Sequence, residues 1–271
     1  MRVLPAIDLK DGQCVRLQKG DYGTANRVAE DAVQTARAFL DAGAELIHMV
    51  DLDGAKDGSH ANYNVVQRVI EETGAAVELG GGIRTMSDVE AVLALGVTRV
   101  IIGSAAVRSP QFVAEAVERY GDRIAVGIDA RGGTVRTEGW LVDSGTDYIA
   151  FARQMDGYGV KTIIFTDIDK DGMLEGPNFD QLAALRQAVT CGIVASGGVS
   201  TLEDIRRLRT LGIDEAIAGK AVYSGALDHF SEVFEWTDCN AALAASLFHY
   251  RELTVGQVKA HLREKNIPVR L

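Results

Sequence analysis

The sequence repeats itself at an offset of 116 residues, and this repeat favours folds that are built of two similar halves. The segment GGIRT at 81–85 aligns with GGVST at 197–201. Three further pairs share the offset: Asp51 and Asp167, Gly96 and Gly212, and Gly103 and Gly219. One offset that holds over several segments predicts that a structural unit is duplicated.

Short apolar runs alternate with amphipathic helical patterns along most of the chain. Eight strand-like runs lie at 3–9, 45–51, 76–79, 99–102, 124–129, 161–166, 192–196 and 214–218. Between them, 87–95 predicts a helix with Ser87 as its N-cap, and 201–211 predicts a helix that Gly212 ends. Strands that alternate with helices predict an α/β fold with a parallel sheet. Eight such units predict a (β/α)8 TIM barrel of two similar half-barrels.

Composition excludes several classes of partner. The chain has 271 residues and a formal net charge of -10, so we expect no nucleic-acid partner. No apolar run approaches the roughly 18 residues that a membrane span needs, so we expect no membrane partner. Three distant cysteines without a CxxC pair argue against a disulfide framework and a zinc site. They favour a reducing, cytoplasmic location.

Glycine-rich loops follow four of the predicted strands and form two copies of one pattern. The candidate phosphate-binding residues are Gly81, Gly82, Gly103 and Ser104 in the first copy, and Gly197, Gly198, Gly219 and Lys220 in the second. Glycine lets backbone N–H groups approach an anion closely, and loops after the last two barrel strands are the usual phosphate site. Arg84 either assists the first copy or is solvated. The pattern predicts a small-molecule substrate with two phosphates.

Two aspartates end equivalent strands in the two halves. Asp8 ends the first predicted strand and Asp129 ends the fifth. A carboxylate at the carboxyl end of a barrel strand points into the mouth, where catalysis occurs in this fold. Two carboxylates on opposite sides of a substrate can act as acid and base. We therefore predict that both are catalytic, although either alone would also fit a turn or an N-cap.

Polar and aromatic residues near the ends of the other strands are candidates for the substrate site. The candidates are Thr166 at the end of the sixth strand and, for substrate binding, Arg16, His48, Asp51, Trp140 and Asp171. Successive strand residues face opposite sides, so these side chains cannot all face the interior. His48 fits a structural role equally well, and Trp140 fits either stacking on a planar heterocycle or packing on a loop.

The aspartates that follow the sixth predicted strand do not match a calcium loop. Asn178 stands where such a loop needs a bidentate glutamate. We therefore expect no metal at this loop.

These motifs together resemble a known enzyme family. The segments are LPAIDLKDGQCVRLQKGDYG, HMVDLDGAKDG, ELGGGIRT, VIIGSAAV, GIDARGG followed by GW, FTDIDKDGMLEGPN, IVASGGVS and AIAGKAVYSG. They resemble the phosphoribosylformimino aminoimidazole carboxamide ribotide isomerases of histidine biosynthesis, over about residues 1–227. The resemblance implies a cofactor-free Amadori rearrangement of an aminoaldose to an aminoketose. It also implies that Asp8 takes the C2′ proton, Asp129 opens the ring, Thr166 assists and Trp140 stacks on the base portion.

The tail departs from that family. Residues 228–271 resemble the last βα unit of the sister cyclase of imidazole glycerol phosphate synthase, and 215–227 aligns with 241–253. The chain thus holds two candidates for the last strand, as a chimera of two related barrels would. We expect a barrel at 1–227 that closes on its own last strand, with the tail packed outside it. Alternatively, the tail's strand closes the barrel, with Ala245 and Ser246 at the phosphate, or it is exchanged between protomers.

The tail leaves two other functions open. One is the cyclase activity of the sister barrel, which works with a glutaminase partner. The other is a non-catalytic or weakly active barrel scaffold. The oligomeric state expected is a monomer or a tail-exchanged oligomer.

Overall fold

The structure is a computed structural model of the chain. It describes residues 2–4, 6–18, 21–41, 46–171, 173, 175–198, 201–213, 215–217, 241–243, 260 and 263–264. The strands are Arg2–Leu4 (β1), Ala6–Lys10 (β2), Gln13–Gln18 (β3), Asp21–Ala29 (β4), Ile47–Asp51 (β5), Val77–Gly80 (β6), Arg99–Ile102 (β7), Ile124–Arg131 (β8), Thr134–Thr137 (β9), Val142–Asp147 (β10), Thr162–Asp167 (β11), Gly192–Ser196 (β12), Glu215–Ile217 (β13) and Ala241–Leu243 (β14). The helices are Ala32–Asp41 (α1), Leu52–Asp57 (α2), Tyr63–Thr73 (α3), Met86–Ala94 (α4), Ser104–Arg108 (α5), Pro110–Tyr120 (α6), Tyr148–Gly157 (α7), Phe179–Ala188 (α8) and Leu202–Thr210 (α9).

A parallel sheet with helices between its strands confirms the predicted barrel class. From β2 the order runs through β5, β6, β7, β8, β11, β12, β13 and β14 to β1. Since β1 and β2 are separated only by residue 5, the order returns to its starting point and the sheet closes. Two antiparallel hairpins extend from the barrel: β3–β4 from β2, and β9–β10 from β8. The sequence patterns did not predict these hairpins, because both segments contain glycine and little alternation.

Both candidates for the last strand lie in the sheet. Ala216 and Ile217 of β13 pair in parallel with Ala242 and Leu243 of β14, and Leu243 also pairs with Leu4 of β1. The structure therefore differs from the expectation that the tail packs outside a barrel closed by Glu215–Ile217 alone. A strand inserted in register satisfies backbone groups that a detached strand would expose. The domain boundary after residue 227 and an exchange between protomers stay predictions.

The core lies between the barrel and its helices. Strand residues with alternate spacing are fully buried there, as in Ile7 and Leu9 of β2 and Val77 and Leu79 of β6. Each fully buried side chain of this size contributes about 1.5–3 kcal/mol relative to leaving it exposed. The residues between them face the barrel interior, and this alternation determines which side chains reach the mouth.

The helices after the two glycine loops begin with the same cap. Thr85 accepts a hydrogen bond from the Asp88 N–H at 3.2 Å, and Asp88 accepts one from the Thr85 N–H at 2.8 Å. Thr201 and Asp204 repeat this capping box ahead of α9. The prediction of Ser87 as the N-cap was wrong, because α4 begins at Met86 with Thr85 as its cap. The reciprocal pair satisfies two free N–H groups.

A charged cluster fills one side of the barrel interior. His48, Glu78 and Arg99 are neighbours across three adjacent strands. Glu78 lies 2.6 Å from His48 Nδ1 and accepts from Arg99 Nε at 2.8 Å. Burial alone would raise the pKa of Glu78, but hydrogen bonds and the nearby charges of His48 and Arg99 lower it to about 2. The Glu78 carboxylate therefore stabilises the fold in its ionised form.

Replacing Glu78 with glutamine should destabilise the barrel in a pH-dependent way. Loss of one buried partner costs about 3–5 kcal/mol at pH 7. Because the pKa of Glu78 is lower in the folded state, its contribution is present above the ordinary glutamate pKa and is lost as pH falls toward 2. In urea unfolding, the difference in the free energy of unfolding between wild type and Glu78→Gln should become smaller from pH 7 to pH 3.

Glu90→Gln is the matched control, because Glu90 forms an exposed pair with Arg119 at 3.0 Å. Equal stabilities of Glu78→Gln and Glu90→Gln at pH 7 would contradict the role assigned to the buried pair.

Candidate active site

Asp129 lies near the carboxyl end of β8, and Thr166 on β11 is its register neighbour. Burial raises the pKa of Asp129, hydrogen bonding to the Trp140 and Thr166 side chains lowers it, and the net shift is upward. A carboxyl group with a raised pKa holds its proton closer to neutral pH, as a general acid requires.

Asp8 lies on β2, on the opposite side of the closed sheet from Asp129. Its Cα neighbours are Val50 on β5 and Val15 on β3. Going one way round the sheet, three strands separate β2 from β8: β5, β6 and β7. Both aspartates sit at the carboxyl end of a parallel strand, and each is partly exposed. The two carboxylates therefore flank the mouth, as the sequence predicted.

The loop that carries Trp140 has an unusual backbone. Glu138, Gly139 and Trp140 all have positive φ, at 56°, 64° and 73°. Non-glycine residues in this region cost about 1–3 kcal/mol each and persist only where the surroundings hold them. The Glu138 N–H donates to Ser104 Oγ at 2.9 Å, so a predicted phosphate-binding residue also contacts this loop. Sequence reasoning identified Trp140 and Ser104 but missed Glu138.

The two glycine loops approach the neighbouring strand at the same place in each half. A Cβ on Gly81 would lie 2.1 Å from the Asp51 carbonyl oxygen, and one on Gly197 would lie 2.6 Å from that of Asp167. Gly81 and Gly197 have φ of 102° and 92°, which disfavour other residues. Gly82 and Gly198 follow with φ of 79° and 84°. The structure thus repeats the loop geometry that the sequence repeat predicted.

A buried aspartate and an asparagine support each loop. Asn62 Nδ2 donates to Asp51 Oδ1 at 2.6 Å, and Asn178 Nδ2 donates to Asp167 Oδ2 at 2.8 Å. Asp51 also caps α2 by accepting the Gly54 N–H at 2.9 Å. Burial raises the pKa of Asp51. Sequence reasoning missed both asparagines, although they too are 116 residues apart.

The other predicted site residues lie at different depths. His48 is one layer below the mouth and contacts Glu78, whereas Gly103 precedes α5 with open space beside its Cα. Arg84 Nη1 donates to the Asp57 carbonyl at 3.1 Å, so its guanidinium is held at the C-terminal end of α2. Asp171 follows β11, where its N–H donates to the Asp167 carbonyl at 3.0 Å.

Three predicted site residues lie wholly or partly outside the part of the chain that the structure describes. Arg16 lies on β3, but its side chain is outside the described part. Gly219 and Lys220 lie outside the described residues, as do Ala245 and Ser246. The substrate contacts assigned to all these residues stay predictions.

The described part of the chain contains neither a cluster suited to a metal ion nor a helix suited to a membrane. Within the described ranges, no cluster of three or more His, Cys, Asp or Glu has the spacing of a metal site. No helix in the part of the chain that the structure describes has the length and apolar character to cross a membrane.

Comparison with known proteins agrees with this geometry. The family of histidine biosynthesis proteins matches residues 2–228. The chain belongs to this family. Residues 229–271 lie beyond the family match, and they include β14.

Curated relatives in the family share about half of the aligned residues. A protein of Clostridium novyi (strain NT) is 49% identical over 228 residues, which cover 84% of this chain and 96% of the relative. A protein of Listeria welshimeri is 49% identical over 235 residues, covering 87% and 98%. A protein of Clostridium botulinum (strain Okra) is 47% identical over 228 residues, covering 84% and 94%. All three are named as isomerases of an imidazole-4-carboxamide that carries two phosphoribosyl groups.

Replacing Gly81 with alanine should lower the free energy of unfolding by more than the strain of a left-handed backbone alone accounts for. Gly74→Ala is the matched control, since Gly74 has φ of 71° and open space around its Cα. We expect about 1–2 kcal/mol of destabilisation for Gly74→Ala. For Gly81→Ala we expect on the order of 3 kcal/mol or more, because the methyl group overlaps the Asp51 backbone. Urea unfolding measures both, and equal losses would show that the close approach is not needed.

Proposed function

We propose that the chain catalyses the Amadori isomerisation of a bis-phosphorylated aminoimidazole carboxamide ribotide in histidine biosynthesis. The observation that carries the proposal is the environment of Asp129, whose carboxyl has a raised pKa and hydrogen bonds from Thr166 and Trp140. Asp8 lies across the barrel mouth from it. Family membership and the names of the curated relatives support the same reaction.

Two phosphates of the substrate would occupy the two glycine loops. The loop of Gly81 and Gly82 precedes α4, and the loop of Gly197 and Gly198 precedes α9. Gly103 and Ser104, with Gly219 and Lys220, would complete the two sites. Phosphates held at both ends would align the sugar between Asp8 and Asp129. Alignment of this kind converts binding energy into a lower barrier.

The acid step belongs to Asp129 in this proposal. Its proton goes to the ring oxygen of the aminoaldose while the nitrogen lone pair forms a double bond to C1′. The bond between C1′ and the ring oxygen breaks, and the ring opens. The hydrogen bonds from Thr166 and Trp140 then stabilise the carboxylate that remains.

The base step belongs to Asp8. It removes the proton from C2′, the C–H electron pair forms the bond between C1′ and C2′, and the imine electrons return to nitrogen. Tautomerisation of the resulting enol gives the ketone at C2′ and a protonated C1′. Oxidation at C2′ is balanced by reduction at C1′ in the same molecule, so the step requires no external oxidant or reductant.

The remaining predicted residues would bind the substrate. Trp140 would cover the planar imidazole portion while its indole N–H stays on Asp129. Arg16, His48 and Asp171 would contact the sugar, the carboxamide or a phosphate, with Asp51 supporting the first loop. We propose a cytoplasmic enzyme whose ligand is a small molecule and which needs no protein partner.

Asn substitutions of the two aspartates test the assignment. Asp8→Asn and Asp129→Asn should each lower kcat by about 100-fold to 10,000-fold, because each removes one proton-transfer group. The assay follows formation of the ketose from the aminoaldose. Asp122→Asn is the control, since Asp122 is exposed and precedes β8 at the other end of the strand from Asp129. Ketose formation by either active-site variant at the rate of the control would refute the two-aspartate mechanism.

A further inference from the structure

Glu138 connects the Trp140 loop to helix α5 through two contacts. Its backbone N–H donates to Ser104 Oγ at 2.9 Å. Its carboxylate accepts a hydrogen bond from Arg108 Nη2, also at 2.9 Å. Ser104 and Arg108 are the first and last residues of α5. Glu138 therefore contacts both ends of α5, and these two contacts hold the loop against that helix.

Tyr22 holds the same loop from the other side. A Cβ on Gly139 would lie 2.9 Å from Tyr22 Oη, so the tyrosine ring packs directly against the glycine backbone. Tyr22 Oη itself donates to the Leu52 carbonyl at 3.0 Å, which connects it to the first residue of α2. Gly139 thus lies between residues that are anchored on two different parts of the barrel.

Only Gly139 separates Glu138 from Trp140, and all three residues have a left-handed backbone. A chain this short transmits the position of Glu138 directly to Trp140. The Trp140 side chain lowers the pKa of Asp129 against the effect of burial, so its position matters to that carboxyl. The placement of that side chain therefore depends on where α5 holds Glu138.

We propose that Glu138 is a positioning residue, and this inference rests on the proposed function. Through its ion pair with Arg108, Glu138 holds the Trp140 indole against the Asp129 carboxyl. Arg108 and Glu138 are 48% and 41% exposed, and a pair this exposed contributes little to global stability. The pair's effect is local, because it selects one conformation of a strained loop. Its loss should change catalysis much more than unfolding.

Glu138→Gln tests the proposal, because it keeps the backbone contact with Ser104 and removes the charge that pairs with Arg108. We expect kcat to fall by about 10-fold to 100-fold, as misplacement of a catalytic group by about 1 Å does, with KM changed by less than about 3-fold. The thermal midpoint should stay close to that of wild type. Arg108→Gln removes the same pair from the other side and should reproduce the loss.

Glu115→Gln is the matched control. Glu115 pairs with Arg119 at 2.8 Å, and their exposed fractions of 46% and 50% resemble those of the Glu138 pair. This variant loses an equivalent ion pair away from the mouth and should keep wild-type kcat. The exchange Glu138→Arg with Arg108→Glu restores the opposite charges and should recover part of the lost kcat.

A second readout does not depend on turnover. The chain has two tryptophans, so a Trp236→Phe background leaves Trp140 as the only indole. Acrylamide should quench Trp140 fluorescence more strongly in Glu138→Gln than in Glu115→Gln, because the loop is released.

The outcomes separate the two proposals. Lower kcat with stronger quenching supports the positioning role. If Glu138→Gln and Arg108→Gln match Glu115→Gln in both kcat and quenching, the role is overturned. If wild type shows no isomerase turnover, the proposed function fails, and the quenching comparison still supports or overturns the placement of Trp140 by Glu138.

Discussion

Both halves of the barrel depend on a backbone contact that only glycine allows. Gly81 and Gly197 each lie so close to the carbonyl of an aspartate on the preceding strand that a methyl group would overlap it. Those aspartates, Asp51 and Asp167, are buried and bound by an asparagine. The contact fixes the height and direction of each loop, and with them the start of α4 and α9. In the proposed function, this repeated constraint would place one phosphate of the substrate at each loop.

The acid and base roles proposed for Asp129 and Asp8 depend on an asymmetry between the two halves. Asp129 has a raised pKa and accepts hydrogen bonds from Thr166 and Trp140, and the hairpin β9–β10 brings the tryptophan to it. The first half has a different hairpin, β3–β4, beside Asp8. Equivalent strands thus carry aspartates in different surroundings.

Local patterns predicted the barrel and its repeated loops, because strand alternation and glycine spacing are local properties. Ser87 was mistaken for a cap because the sequence does not show which hydroxyl faces the first helical N–H groups. Asn62 was missed although it repeats at Asn178, whereas Glu138 was missed because its partners Ser104 and Arg108 are distant in sequence. The position of Ala241–Leu243 could not be predicted, because two similar strands, β13 and β14, could each have paired with β1. Composition does not decide between them.

The most direct test of the account is turnover by the purified full chain alone. The bis-phosphorylated aminoaldose would be incubated with the protein in a chelating buffer, without ammonia, a glutaminase or any cofactor, and the ketose quantified by chromatography. The account predicts many moles of ketose per mole of chain. A chain that shows the circular dichroism of a folded α/β protein yet forms no ketose would contradict it, as would activity that appears only on the ketose with ammonia.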